Sequence, residues 1–307
     1  MKHYSVLKKE LIDGLNINPD GIYVDATLGY AGDSSEILMR MKRGFLFAFD
    51  QDEEAIKYSE EKLSKISNNY RIIYSNFANI KEKLLENNIE KVDGIIYDLG
   101  VSSPQIDEDY RGFSFMKDAT LDMRMDINNP LTAKEVVNKY SYEKLVEIFY
   151  KYGDEDFSKP IAKSIIKERE NKEINTTLEL VEAIKRSVPY KYFVTKHPER
   201  QIFQAIRIEV NDELNVLEKS LEDAVSMLKP GGRICVITFH SLEDRIVKQL
   251  FKKLSEINPL VKGLPVIPDE YKPLIKLINK KPILPSGEEL NENSRSKSAK
   301  LRIIERL

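Results

Sequence analysis

Read for the spacing of its apolar positions, the chain begins with short continuous apolar runs that alternate with segments of helical period. Ile22-Tyr23-Val24-Asp25, Phe45-Leu46-Phe47-Ala48-Phe49-Asp50, Tyr70-Arg71-Ile72-Ile73-Tyr74 and Val92-Asp93-Gly94-Ile95-Ile96-Tyr97-Asp98 read as strands. Ser5 to Leu15, a segment from about Asp33, Glu53 to Ile66 and Ile80 to Asn87 read as helices. Strands alternating with helices imply a mainly parallel sheet with right-handed crossovers, and ligands then sit beyond the carboxyl ends of the strands. Asp25, Asp50, Phe77 and Asp98 all fall at such ends.

The alternation stops after Asp98. Leu99 to Gln105 reads as a loop, and the stretch to Asp126 has no clear period. From about Thr132 to Val188 the pattern is helical, with apolar positions at Val136, Val137, Leu145, Ile148, Phe149, Ile161, Ile165, Ile166, Leu178, Leu180, Val181 and Ile184. This predicts a helical domain inserted into an α/β core. The core resumes with a helix over Leu214 to Leu228, a turn at Lys229-Pro230-Gly231-Gly232, a strand from Arg233 to Phe239 and a helix from Leu242 to Leu254. Two last strands, near Leu277-Ile278 and from Lys300 to Ile304, are expected to close the sheet as a hairpin. The expected division is 1–108 and 209–307 for the core and 109–208 for the inserted domain.

Composition narrows the class. The chain has 307 residues, 41% apolar and 32% charged, with no apolar run near the roughly 20 residues needed to span a bilayer. The N-terminus lacks the apolar core of a secretory signal, so a cytoplasmic location is expected. The single cysteine, Cys235, lies inside an apolar strand and forms no internal disulfide. Net charge is −2, but from Arg245 to Leu307 14 Lys+Arg face 7 Asp+Glu, a field able to steer a polyanion to one region or simply a solvated lysine-rich surface.

The candidate chemistry begins at Asp25-Ala26-Thr27-Leu28-Gly29-Tyr30-Ala31-Gly32-Asp33, a glycine loop between strand and helix, with Asp33 and Glu36 spaced for a capping box. Such a loop offers backbone N–H groups to a nucleotide-like ligand. Asp50 follows Gly29 by 21 residues (50 − 29), close to the spacing at which an acid grips ribose hydroxyls. A dinucleotide fingerprint would need one more glycine; S-adenosylmethionine, without a pyrophosphate, does not, and the methyl donor is favoured over the nicotinamide cofactor.

Several longer motifs carry a resemblance. Asp98-Leu99-Gly100-Val101-Ser102-Ser103-Pro104-Gln105, Arg111-Gly112-Phe113-Ser114-Phe115-Met116, Leu121-Asp122-Met123-Arg124-Met125-Asp126, Lys196-His197-Pro198, Phe203-Gln204-Ala205-Ile206-Arg207-Ile208 and Phe239-His240-Ser241-Leu242-Glu243-Asp244-Arg245 resemble those of the bacterial small-subunit ribosomal RNA methyltransferase H family, also called MraW. The similarity runs from His3 to the last strand. It implies a Rossmann-like class I methyltransferase core with an inserted helical substrate domain, S-adenosyl-L-methionine as cofactor, and methylation of the exocyclic N4 amine of one cytidine in the decoding region of 16S ribosomal RNA. The cofactor contacts it implies are Ala31, Gly32, Asp33, Asp50, Phe77, Asp98 and Gln105. Where the family usually has Gly-Gly-His this chain has Ala31-Gly32-Asp33, which puts the third side chain's contact in question. The expected partners are 16S RNA or the small ribosomal subunit, no membrane, and a second copy of the chain, on which the sequence carries no signal.

The residues can be weighed against that chemistry. Methylation at a ring carbon of cytosine uses a cysteine nucleophile, and the only cysteine sits in a strand. Methylation of the amine needs only an acceptor on its protons, and Asp98 is the candidate positioning group. RNA contacts are expected from Arg111, Phe113, Lys196, His197, Arg200, Arg207 and His240, which mix cations with rings able to stack on a freed base. Each has an ordinary structural alternative: a core aromatic, a solvated helix end, a local hydrogen bond. With the histidines scattered and no cysteine cluster, no metal site is expected. Asp122 is expected to pair with Arg111 or Arg124. Rival readings are a methyltransferase of DNA or protein, an RNA-binding module without catalysis, and an oxidoreductase.

Overall fold

The structure is a computed structural model that describes residues 6–100, 111–257, 261 and 265–307. The described residues form two compact units, Met1–Gly100 with Leu214–Leu307, and Val101–Glu213.

The first unit is built on a seven-stranded sheet. Strands β1 (Ile22–Asp25), β2 (Phe45–Asp50), β3 (Tyr70–Tyr74), β4 (Val92–Asp98) and β5 (Leu228–Thr238) run parallel, and β6 (Ile275–Leu277) and β7 (Lys300–Arg306) complete the order β3-β2-β1-β4-β5-β7-β6. β7 is antiparallel to both its neighbours. The chain builds outward from β1 through β2 to β3 and then returns to β4 on the other side of β1. The carboxyl ends of β1 and β4 therefore mark the topological switch point, where open α/β sheets bind ligands.

Successive strand residues face opposite sides, and both sides are covered, which is why the strands read as unbroken apolar runs. On one face Tyr23, Leu46, Ala48, Ile96, Cys235 and Ile237 pack with α1 (Lys8–Leu15), α2 (Gly32–Arg40) and Leu63 at the end of α3 (Glu53–Leu63). On the other, Val24, Phe49, Ile95, Tyr97 and Val236 pack with α4 (Ile80–Glu86), α11 (Glu213–Met227) and α12 (Ser241–Ser255). This is a three-layer α/β architecture, the fold class expected from the sequence.

Some details differ from the pattern. Lys229 to Gly232 lies inside β5 rather than before it. The register passes from Val92 opposite Leu228 to Gly94 opposite Arg233, so the extra residues bulge out, with Gly231 at φ 80°. The two last strands pair as expected, but a long connection containing α13 (Gly287–Glu292) joins them rather than a tight turn.

The second unit is helical: α5 (Ala133–Lys139), α6 (Tyr142–Gly153), α7 (Ser158–Asn171), α8 (Thr177–Ser187), α9 (Tyr190–Lys196) and α10 (Pro198–Asn211). Thr132, Ser141 and Thr176 cap three of these helices, the last through a capping box with Glu179. Val136, Val137, Leu145, Ile148, Phe149, Ile161, Ile165, Leu180 and Ile184 form the core with Ile202, Phe203 and Ile206 of α10. Leu178, counted among the apolar positions of its helix, instead faces solvent.

Candidate functional site

The loop from β1 to α2 is held from several directions. Asp25 Oδ1 accepts the Thr27 N–H at 3.0 Å and its Oδ2 the Ser34 hydroxyl at 2.6 Å. Thr27 Oγ1 accepts the Asp98 N–H at 2.7 Å, joining the ends of β1 and β4. Leu28 N–H reaches the Phe49 carbonyl at 2.9 Å and Gly29 N–H reaches Asp50 Oδ2 at 2.8 Å. Ser59 Oγ and Lys62 Nζ donate to the carbonyls of Gly29 and Tyr30.

Gly29 (φ 47°) and Ala31 (φ 54°) both adopt the left-handed conformation. At Ala31 a side chain stands in a conformation that costs an L-residue roughly 1–2 kcal/mol. Ala31 is also the N-cap of α2, so the helix starts at Gly32 and the expected Asp33–Glu36 capping box does not form. Asp33 is buried inside the first turn, and Glu36 pairs with Lys8 at 2.9 Å.

Three carboxyls at the strand ends have raised pKa values here. Burial pushes the Asp25 carboxyl up to about 6, against the opposing hydrogen bonds of Ser34 and Thr27. Burial also raises Asp50 to about 6; the N–H groups of Asp52 and Gly29 pull the other way. Asp98 is raised well above the ordinary range, first by burial and then by the charges of Asp33, Asp25 and Glu243. Its Oδ1 is shielded from solvent and has no hydrogen-bond partner among the described residues. A buried acceptor without a donor, among like charges, is a place for a cation or a hydrogen-bond donor.

Beside this group His240 caps α12. Its Nδ1 accepts the Glu243 N–H at 3.4 Å, and Glu243 Oε2 accepts the N–H groups of Phe239 and His240. His240 is thus occupied structurally through Nδ1, while its Nε2 lies 3.0 Å from Glu243 Oε1. Phe77 opens a short 3-10 turn after β3, capped by Asn76, and its ring meets Tyr97 edge-on at 5.7 Å.

The candidate RNA residues of the second unit divide into two sets. Arg111 is buried and donates to the carbonyls of Arg124 (3.1 Å) and Met125 (3.3 Å). Arg207 forms a two-point ion pair with Glu213 at 2.8 and 2.9 Å. Arg111 is thus an interior brace and Arg207 a part-buried ion-pair partner, each engaged within the helical unit. Asp122 takes Arg124 as its partner, again through two bonds. By contrast Lys196 and Arg200 are exposed and His197 is half-exposed at the junction of α9 and α10. Arg200 lies over the Phe115 ring at 5.9 Å, and Phe113 and Phe115 are half-buried against the helical core. Gln105 lies outside the described residues.

Thr27, Ser34 and Glu243 are parts of this site that sequence reasoning passed over. Only Glu243 left a signal, three residues after His240, the spacing of a capping box with histidine in the place of serine or threonine. The donor set fits S-adenosylmethionine better than a dinucleotide. Asp50 suits a ribose diol, and the acids around Asp98 suit a sulfonium or ammonium but would repel a pyrophosphate.

The model of the MraW methylase family matches residues 1–307. Among solved structures, an rRNA methylase from Streptococcus thermophilus is 14% identical, with a TM-score of 0.40 over 98% of this chain and 93% of that one. A Streptococcus mutans protein in complex with SAH is 13% identical, with a TM-score of 0.45 over the whole of both chains. A SAM-dependent O-methyltransferase from Thermotoga maritima is 11% identical, with a TM-score of 0.42 over 98% of this chain and 64% of that one.

Proposed function

The chain belongs to the MraW methylase family and uses S-adenosylmethionine, and from that premise we propose that it methylates the exocyclic N4 amine of a cytidine in the decoding region of 16S ribosomal RNA. The observation that carries the reading is Asp98: a carboxylate at the switch point of the sheet, with one oxygen shielded and unpartnered.

In this reading Asp50 accepts the ribose hydroxyls, and the N–H groups at the start of α2 face the amino-acid end of the cofactor. When bound, the cofactor supplies an electrophilic methyl group on a positively charged sulfur. A cation beside Asp98 favours its ionised form. Asp98 then accepts a proton of the target amine in a hydrogen bond and turns the nitrogen lone pair out of conjugation with the ring, toward the methyl group. The methylated cation is a strong acid and loses its proton without a dedicated base. Cys235 supports amine rather than ring-carbon chemistry: it is wholly buried in β5 and burial raises its thiol pKa, so no thiolate is available to attack a ring. Lys196, His197 and Arg200, with the Phe113 and Phe115 rings, offer the phosphate and stacking contacts an unstacked base needs.

The test is methyl incorporation from labelled S-adenosylmethionine into small subunits, free 16S RNA, DNA and protein, with mass spectrometry of the RNA product. The expected result is label on small-subunit RNA as N4-methylcytidine, lost in Asp98→Asn at saturating cofactor. Label only in DNA or protein, or a fully active Asp98→Asn, would overturn the proposal.

A further inference from the structure

Phe77 sits on a turn that is tethered from two sides. Asn76 caps the turn, its Oδ1 accepting the Ala78 N–H at 2.8 Å, and its Nδ2 donates to Gln51 Oε1 at 2.9 Å. The turn after β3 is thereby tied to the turn after β2, next to Asp50 at the end of that strand. From beneath, Ser220 of α11 lies 2.9 Å from the Phe77 carbonyl, and the Tyr97 hydroxyl lies 2.7 Å from Ser220 Oγ.

The Phe77 carbonyl can only accept, so the Ser220 hydroxyl donates there, beside the Ile80 N–H that also reaches it. With that proton placed, the Tyr97 hydroxyl lies 2.7 Å from Ser220 Oγ and 3.3 Å from the Ser220 carbonyl and donates toward both. Tyr97 and Ser220 are both wholly buried, and burial raises the phenol pKa, which keeps the proton in place. The Tyr97 ring also meets the Phe77 ring at 88°. Phe77 is therefore gripped by its carbonyl through two hydroxyls and by its side chain through the ring that carries the first of them.

Phenylalanine and alanine would fill the same core without burying polar atoms, and hydroxyls cost free energy there unless bonded. What the pair of hydroxyls achieves is a fixed Phe77 carbonyl. We propose that Tyr97 and Ser220 are positioning residues for cofactor recognition, a buried hydroxyl chain that holds the Phe77 turn as the seat of the adenine ring. The inference rests on the function proposed above and takes Phe77, a cofactor contact that the family resemblance implies, as the residue that touches the base.

Calorimetry of the full chain with S-adenosylmethionine and with S-adenosylhomocysteine tests it, using Tyr97→Phe, which removes one oxygen, and Ser220→Ala. Each is expected to weaken binding up to about tenfold, the scale of one net hydrogen bond. The double variant is expected to be no weaker than Ser220→Ala alone, because the two act in series. KM for cofactor rises while kcat and KM for RNA hold, and the preference for the adenine compound over its hypoxanthine counterpart narrows, neither of which a general loss of stability would produce. Wild-type affinity and base preference in folded Tyr97→Phe and Ser220→Ala would overturn the inference. Phe77→Ala separates the two levels. If it too binds like wild type, the seating of adenine on this turn is wrong; if it alone binds weakly, only the tether is.

Discussion

Asp50 illustrates how one side chain holds two tasks in tension. Its oxygens already accept N–H groups from Gly29, Gln51 and Asp52, yet burial outweighs them and lifts its pKa to about 6. For the free protein a raised folded-state pKa means that the stability contributed by this group is present below its ordinary value and is lost as pH rises through about 6. For cofactor binding the sign reverses, because ribose hydroxyls donate to the ionised form. Affinity for S-adenosylmethionine is therefore expected to be flat above pH 7 and to fall toward tenfold per pH unit well below 6. Calorimetry from pH 5 to 8 checks this, with the break removed in Asp50→Asn. A flat wild-type profile would contradict the role of Asp50, and a break surviving in the variant would assign it to Asp25, whose pKa is also about 6, or to Asp98, whose pKa is raised by burial.

Between elements, the clearest polar fastening is the one joining α12 to β7. Asp244 accepts Arg302 at 2.7 and 3.2 Å and Lys300 at 3.1 Å, with Asp244 and Arg302 both buried. Burial alone would raise the Asp244 pKa, but the two cations outweigh it and the net shift is downward. Its contribution to stability is thus present above the ordinary carboxylate value and lost as pH falls through the lowered one. Asp244→Ala leaves Arg302 buried without its partner and is expected to cost about 3–5 kcal/mol, read from urea unfolding. A loss under 1 kcal/mol would show that water compensates the guanidinium. This pair was invisible in the sequence because Asp244 and Arg302 are 58 residues apart. The strands were legible because both faces of the sheet are covered, and the apolar runs of β1, β2 and β4 end in aspartates. The start of α2 was not, since Ala31 takes a left-handed conformation that alanine rarely adopts and shifts the cap by two positions. The partners of Arg111 and Arg207 were hidden for a related reason: a cation within a motif reads as a ligand contact, and only the fold reveals the carbonyls and the carboxylate that engage it.

At the scale of the molecule, the two units have separate apolar cores. One is laid on the two faces of the sheet, the other lies among α5, α6, α7, α8 and α10. Separate cores can open separately, and a ligand stabilises only the structure that must be intact to hold it. Asp50, Phe77 and Asp98 all belong to the sheet unit. At about 100 times its dissociation constant, S-adenosylmethionine should stabilise that unit by about 2.7 kcal/mol, a slowing near 100-fold for amides that exchange only when it unfolds. Hydrogen exchange followed by mass spectrometry is the measurement. Peptides covering β1, β2, β4 and β5 should slow by this amount, while those covering α6, α7 and α10 keep their rates. Equal slowing in both sets would mean that the helical unit unfolds only together with the sheet, and the two cores would then count as one cooperative body.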